Sequence, residues 1–187
     1  MKNEQKIVKG NILLAEPFMI DVNFKRAVVL ICDHTEEDGT VGFVLNKNLG
    51  LQIQDLIVEF PEFESEVFYG GPVQTDSIHY IHNVGDVLDN STRVVDGVWW
   101  GGDFEKLKFL ISSQLIKPEN IRFFVGYSGW SPNQLDQEMK QGSWVISDMY
   151  ANYLFKSNPD SLWQQVMKNK GDRYEIIADM PDVDSRN

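Results

Sequence analysis

Cysteine is almost missing from this chain. Cys32 stands alone among 187 residues, which excludes an intrachain disulfide and a cysteine zinc cluster. Long apolar runs are missing too. No stretch approaches the roughly 18 apolar residues of a membrane-spanning helix, and the opening MKNEQKIVKG has no apolar segment of the secretory kind. These absences predict a cytoplasmic protein with no membrane partner. Positive charge is scarce: 17 Lys plus Arg stand against 28 Asp plus Glu, a net charge of −11. The basic residues are not gathered. Lys2, Lys6 and Lys9 make a mildly basic arm, and Lys25 with Arg26 is the only other early pair. Asp55, Glu59, Glu62, Glu64 and Glu66 share a stretch without Lys or Arg, and Asp179, Asp182 and Asp184 make an acidic tail over about residues 179–187, read as disordered. A polyphosphate is repelled by such a surface, so no direct nucleic-acid partner is expected. No P-loop or G-x-G-x-x-G is present, and no linker-like or repeated segment divides the chain. A single domain over residues 1–187 follows.

Apolar residues (42%) and aromatics (12%, with five Trp and eleven Phe) are enough for a substantial core. Asn11–Ala15 reads as a short strand. Residues 26–33 (RAVVLICD) and 40–46 (TVGFVLN) are apolar at successive positions, the pattern of strands covered on both faces. The polar segment from His34 to Gly39 connects them as a hairpin loop. Residues 53–60 read as a short helix ended by Pro61, and Glu66–Tyr69 and 77–82 as strands around the breaker Gly70-Gly71-Pro72. Asp96-Gly97 predicts a tight hairpin between residues 93–95 and Val98–Trp100. Asp103 caps a helix with the apolar stripe Phe104, Leu107, Leu110, Ile111 and Leu115, stopped by Pro118. Residues 121–125 form a strand leading into a turn at Gly126–Trp130. Ser131, Pro132 and Gln134 then give the S-x-x-Q start of a helix that Gly142 ends. Residues 144–146 are a short strand, Asn158-Pro159 opens a helix through Leu162, Trp163, Val166 and Met167, and residues 174–178 read as a last strand. Strands and helices are irregularly mixed, so the class is α+β.

Gly126-Tyr127-Ser128-Gly129 resembles a hydrolase nucleophile elbow, but the second glycine comes one residue early and Trp130 stands where a small residue must allow the turn. Two glycines with unusual φ and a serine in a turn fit better. The helix start beyond it, with Asn133, Gln134 and the wall of Trp130, could cradle an anion, although Ser131 already satisfies such donors. His79 and His82 point to opposite faces of a strand, which argues against a metal site. Cys32 and His34 share a strand face about 7 Å apart, and Cys32 within VVLIC reads as a buried, inert thiol. Trp99 and Trp100 alternate across their strand, one toward core and one toward a surface. Glu36-Glu37-Asp38 lacks the spacing of a calcium loop. Neither cofactor nor metal is implied.

In this order, Gly10 to Pro17 (GNILLAEP), Asp21, Phe24, the RAVVLI strand, His34, Gly39, Gly42, Leu45-Asn46, Tyr69 to Val73 (YGGPV) and His82 resemble the YqgE/AlgH family. So do Gly126 to Trp130 (GYSGW), Gln134-Leu135, Glu138, Trp144, Phe155, Trp163 and Gly171. The resemblance spans nearly the whole chain. It implies a single α+β domain with a mixed, branched sheet partly closed as a barrel and flanked by helices, in a bacterial cytosolic protein. The family carries a transcriptional-regulator label, with no established activity and no catalytic residues to carry over. Two positions depart from its pattern: Ser128, where Ala is common, and Ser131-Pro132-Asn133, where Gly-Pro-Gly is common.

The leading expectation is a non-enzymatic binding or regulatory module acting on an unknown protein or a small polar or anionic ligand. Its site would join Asn46, the turn Tyr69, Gly70, Gly71, Pro72, then His82, and the segment Gly126, Tyr127, Gly129, Trp130 and Gln134. Glycines permit close backbone approach, Tyr69, Tyr127 and Trp130 form apolar walls, and Asn46, His82 and Gln134 orient the ligand. The alternative is a small hydrolase or transferase with His82 or Glu138 as base; direct DNA binding stands third.

Overall fold

The computed structural model describes residues 5–171 and 173–182. A ten-stranded sheet organises them. β1 (Asn11–Ala15), β2 (Val28–Thr35) and β3 (Gly39–Val44) form an antiparallel meander, extended at one side by β10 (Trp144–Asp148) on β1. The period-2 alternation of β1 and β2 has both faces buried, as their unbroken apolar runs predict. Ile12, Leu14, Val28, Leu30 and Cys32 face an inner core with Phe43, Phe124, Trp163 and Val166. Leu13, Ala15, Val29 and Ile31 face an outer core with Trp130, Leu135 and Trp144.

β9 (Ile121–Trp130) is the hinge of the sheet. Along Ser128–Trp130 it pairs antiparallel with β3. Along Phe123–Val125 it pairs parallel with β5 (Glu66–Tyr69), itself partnered by β4 (Asn48–Gln52). On the other side of β9 runs β6 (Val73–His82), followed by β8 (Val98–Trp100) and β7 (Thr92–Val95). The sheet therefore branches at β9, and it curls until the Val94 carbonyl stands 3.0 Å from where a side chain on Gly10 would begin. This half-barrel is the α+β architecture expected.

Helices cover its faces. α1 (Ile53–Leu56) is one turn and stops before the predicted Phe60. α2 (Phe104–Ser112) is capped by Asp103, whose carboxylate accepts from the Lys106 N–H at 2.8 Å. Only Leu107, Leu110 and Ile111 of its stripe are buried, in a third core with Phe63, Tyr80 and Phe123. α3 (Gln134–Lys140) follows β9, α4 (Ala151–Phe155) was not foreseen, and α5 (Leu162–Asn169) buries the four predicted residues after a 3-10 turn at Pro159–Ser161.

Three local expectations are corrected. The Gly126–Trp130 segment is strand, because it continues the ladder to β3. The segment 174–178 belongs to α6 (Arg173–Ala178), packed on α5, because Tyr174, Ile177 and Ala178 fall at i, i+3 and i+4 and turn one helical face to the core, which leaves Ile176 exposed. The helix after Trp130 starts at Gln134, with Asn133 rather than Ser131 at its cap. Asn133 adopts φ 65, the left-handed conformation that glycine takes freely and asparagine tolerates next best. That explains how Asn fills a position where the resemblance implies Gly. Of the acidic tail, residues 179–182 lie against the body, through Lys168–Asp179 and Lys25–Asp182 ion pairs, and residues 183–187 lie outside the described residues.

Candidate functional site

The glycine segments do meet, and they meet as backbone. Gly126 sits at φ 68, where β9 exchanges its β5 neighbour for β3. A Cβ on Gly126 would lie 2.4 Å from the Gly71 carbonyl oxygen, and one on Gly71 would lie 2.2 Å from the Tyr127 carbonyl carbon. No side chain fits in either place. Gly70 ties the branches: its N–H donates to Val125 O, and its carbonyl accepts from Val44 N–H and from the buried Ser128 hydroxyl at 3.0 Å. Ser128 is fully buried within a strand, so its Oγ is a sheet contact and no exposed nucleophile. Alanine at this position would forgo that bond. Pro72 and Gly129 are exposed beside this crossing, and Tyr127 packs its ring against His79 at 5.9 Å.

Trp130 lies 5% exposed, in a corner with Trp144 and Phe24. Glu138 closes that corner. One carboxylate oxygen accepts from both indole N–H groups, Trp130 at 2.8 Å and Trp144 at 2.9 Å, and the other accepts from the Gln134 amide at 3.3 Å. Gln134 in turn accepts from the Ser131 N–H, half of the predicted capping box. The polar groups here satisfy one another.

His82 is equally engaged. It is fully buried, its Nε2–H donates to Gly101 O at 2.7 Å, and its Nδ1 accepts from the Val84 N–H at 3.3 Å. Burial pushes its pKa below the usual value, the bond to Gly101 opposing. Tyr69 donates to Asn23 at 2.7 Å. Cys32 is buried, and burial with nearby Asp33 raises its thiol far above the reactive range. Among the described residues no three His, Cys, Asp or Glu side chains gather as a metal site.

Asn46, of the expected set, lines an open cavity. Its amide bridges the entrance to β2, accepting from Val28 N–H and donating to Arg26 O, both at 2.9 Å. Around it lies a cavity of about 230 Å³ walled by Lys25, Arg26, Lys47, Asp160, Trp163 and Gln164. Arg26 stacks on Trp163 at 4.5 Å, adopts φ 49, donates from Nη2 to Met180 O at 2.6 Å, and keeps a buried Nε with no hydrogen-bond partner among the described residues. Lys25 pairs with Asp182 at 2.6 Å. Lys47 donates to Val22 O at 2.6 Å, and burial, with Lys25 adding to it, lowers its pKa against the pull of Asp21. The signal in the sequence was faint: the Lys25-Arg26 pair before a strand, and Lys47 directly after Asn46. The site residues thus separate into a glycine crossing, an aromatic corner, a core histidine and this cationic cavity.

A curled, branched sheet of this order, flanked by short helices, defines an α+β half-barrel class. The family model for AlgH-like proteins matches residues 12–175, and the chain belongs to that family. A UPF0301 protein of Chlorobium limicola is 40% identical over 188 residues, covering all of both chains. One of Cytophaga hutchinsonii is 40% identical over 181 residues, 96% of this chain and 98% of the relative. Two solved structures share the fold: protein DIP2367 of Corynebacterium diphtheriae, with TM-score 0.78, 23% identity and 94% of each chain covered, and the AlgH protein of Pseudomonas aeruginosa, with TM-score 0.72, 24% identity, and 97% of this chain and 98% of that one covered. Among the described residues, no helix is long and apolar enough to cross a membrane.

Proposed function

We propose that this protein is a non-enzymatic binding module of regulatory type that takes a small anionic ligand, a carboxylate or phosphate, in the cavity around Asn46. The observation that carries this reading is the meeting of Lys25, Arg26 and Lys47 on one cavity in a chain of net charge −11. Like charges gather against their mutual repulsion only where something compensates them. Part of the compensation is the chain's own oxygen acceptors, the Asp182 carboxylate on Lys25 and the Met180 carbonyl on Arg26. The unpartnered Arg26 Nε and the desolvated Lys47 ammonium are groups that an anion would satisfy further. A base role for His82 or Glu138 draws no support from their surroundings, because the ring nitrogens of one and the carboxylate of the other are already engaged. Direct duplex binding draws none from the charge.

Calorimetric titration with inorganic phosphate and with citrate tests the reading. Saturable binding is expected, weakening as salt rises and falling at least about tenfold in Lys25→Ala and in Lys47→Ala, roughly the loss of one charge-assisted contact. Absence of saturable binding by either probe to the full chain overturns it.

A further inference from the structure

A second, larger cavity of about 400 Å³ lies where the β5 and β9 strands meet α4, and its chemistry differs from the first. Arg122, on β9, is mostly buried in its wall, stacks over the Phe68 ring at 4.3 Å, and has one long hydrogen bond among the described residues, from Nη1 to Leu45 O at 3.3 Å. No carboxylate of the described residues comes within ion-pair distance of it. Glu66, the nearest acid electrostatically, already accepts from the Asn48 amide at 2.6 Å. A guanidinium deprived of water and left without an ion pair is destabilised unless an acceptor arrives, and burial pulls its pKa down to about 10. Its planar fork matches a carboxylate bidentately.

The rim points to what carries that carboxylate. Glu64, Glu66 and Glu119 are exposed around the opening, so a simple anion is repelled on approach. A ligand with its own ammonium group meets those acids favourably while its carboxylate reaches Arg122. Between them, Phe68, Ile121, Leu154 and Phe155 offer an apolar floor. The volume lies in the range of pockets that enclose a small ligand.

We infer that this cavity binds a zwitterionic small molecule of the amino-acid or dipeptide class, its carboxylate on the Arg122 guanidinium, its ammonium toward Glu64, Glu66 and Glu119, and its apolar side chain on Phe68 and Phe155. This site is independent of the cationic cavity. The two share only a boundary, with Pro159 lining one and Asp160 the other.

The test titrates the isotope-labelled full chain with L-leucine, with acetate and with isobutylamine, following backbone amides of β5, β9 and α4 together with the Arg122 Nε–H resonance by NMR. L-leucine is expected to give saturable shifts at these positions, acetate shifts at least tenfold weaker, and isobutylamine none. Arg122→Met should abolish the L-leucine response. It should also leave the melting temperature unchanged or raise it, because it removes a desolvated cation while keeping an apolar stem of similar length. Glu66→Gln combined with Glu119→Gln should weaken L-leucine and strengthen acetate. Equal binding of acetate and L-leucine overturns the zwitterion assignment. Absent binding of L-leucine overturns it as well, and a marked loss of stability in Arg122→Met assigns the arginine to the scaffold.

Discussion

The Trp130 corner and the Asn46 cavity show opposite states of polar satisfaction. In the corner, Glu138 accepts from two indoles and a glutamine, and that glutamine accepts in turn from Ser131. In the cavity, Arg26 holds a buried Nε without a partner, and Lys47 is an ammonium half removed from water. Both regions mix aromatic and charged side chains at the edge of the same β1–β3 meander, so composition does not separate them. What separates them is whether the chain supplies the counterpart. A self-satisfied polar cluster rigidifies a fold, whereas an incomplete one calls for a counterpart from outside it, which in the proposed reading is the ligand.

The comparison makes its largest demand at Trp130. The ring is 5% exposed, packs against Phe24 and Trp144, and donates to Glu138. Trp130→Ala should destabilise the protein by about 3–5 kcal/mol in denaturant unfolding, as large-to-small core changes do. A loss below about 1 kcal/mol would be the value of a surface residue and would break the contrast. Next comes Glu138. Glu138→Ala leaves two indole N–H groups without their acceptor and should cost roughly 2–4 kcal/mol, at 1–3 for each stranded donor with partial relief from water. Glu138→Gln keeps one carbonyl oxygen facing the indoles and should cost about half as much or less. Equal losses in the two variants would mean that packing, and no hydrogen bond, holds the corner.

This corner also shows what could be read from the chain and what could not. The strands 11–15 and 66–69, the hairpin at Asp96-Gly97 and the helix cap at Asp103 are local: turn chemistry and side-chain period determine them. The family resemblance carried the branched half-barrel. Gly126–Trp130 misled because two glycines in five residues signal a turn locally, while here Gly126 lets Gly70-Gly71 cross a continuing strand. That crossing joins residues some 55 positions apart, which no local pattern encodes. The same holds for the candidate site. Glu138 was legible as an acid, but its two indole partners come from a strand end and from β10. Lys25, Asn46, Lys47 and Trp163 come together only because α5 packs across the mouth of β2 and β3. Arg122 carried no signal beyond being a lone cation in IRFFV.

The smallest expected effect on stability, and the sharpest on function, belongs to Lys47. Burial lowers its pKa, with Lys25 contributing and Asp21 opposing, so the folded chain releases this proton more readily than the unfolded chain does. Between the folded value and the ordinary 10.5, the unfolded state binds more protons, and linkage makes stability rise with pH across that window. Below the window both states carry the charge, and the folded state bears its desolvation penalty in full. Lys47→Met keeps the aliphatic stem and removes the charge, forgoing the bond to Val22 O. The variant should match or slightly exceed the wild type in melting temperature at pH 7. The margin should narrow as the pH approaches 10, because there the wild type sheds the same charge. Tyr69, whose pKa burial and Asp21 push up, titrates in both proteins and cancels from the difference. Phosphate and citrate binding should fall in the same variant. A Lys47→Met protein that is clearly less stable at pH 7, with a margin that does not change with pH, would place Lys47 with Glu138 among the groups that hold the fold, and the contrast between corner and cavity would fail at its weakest point.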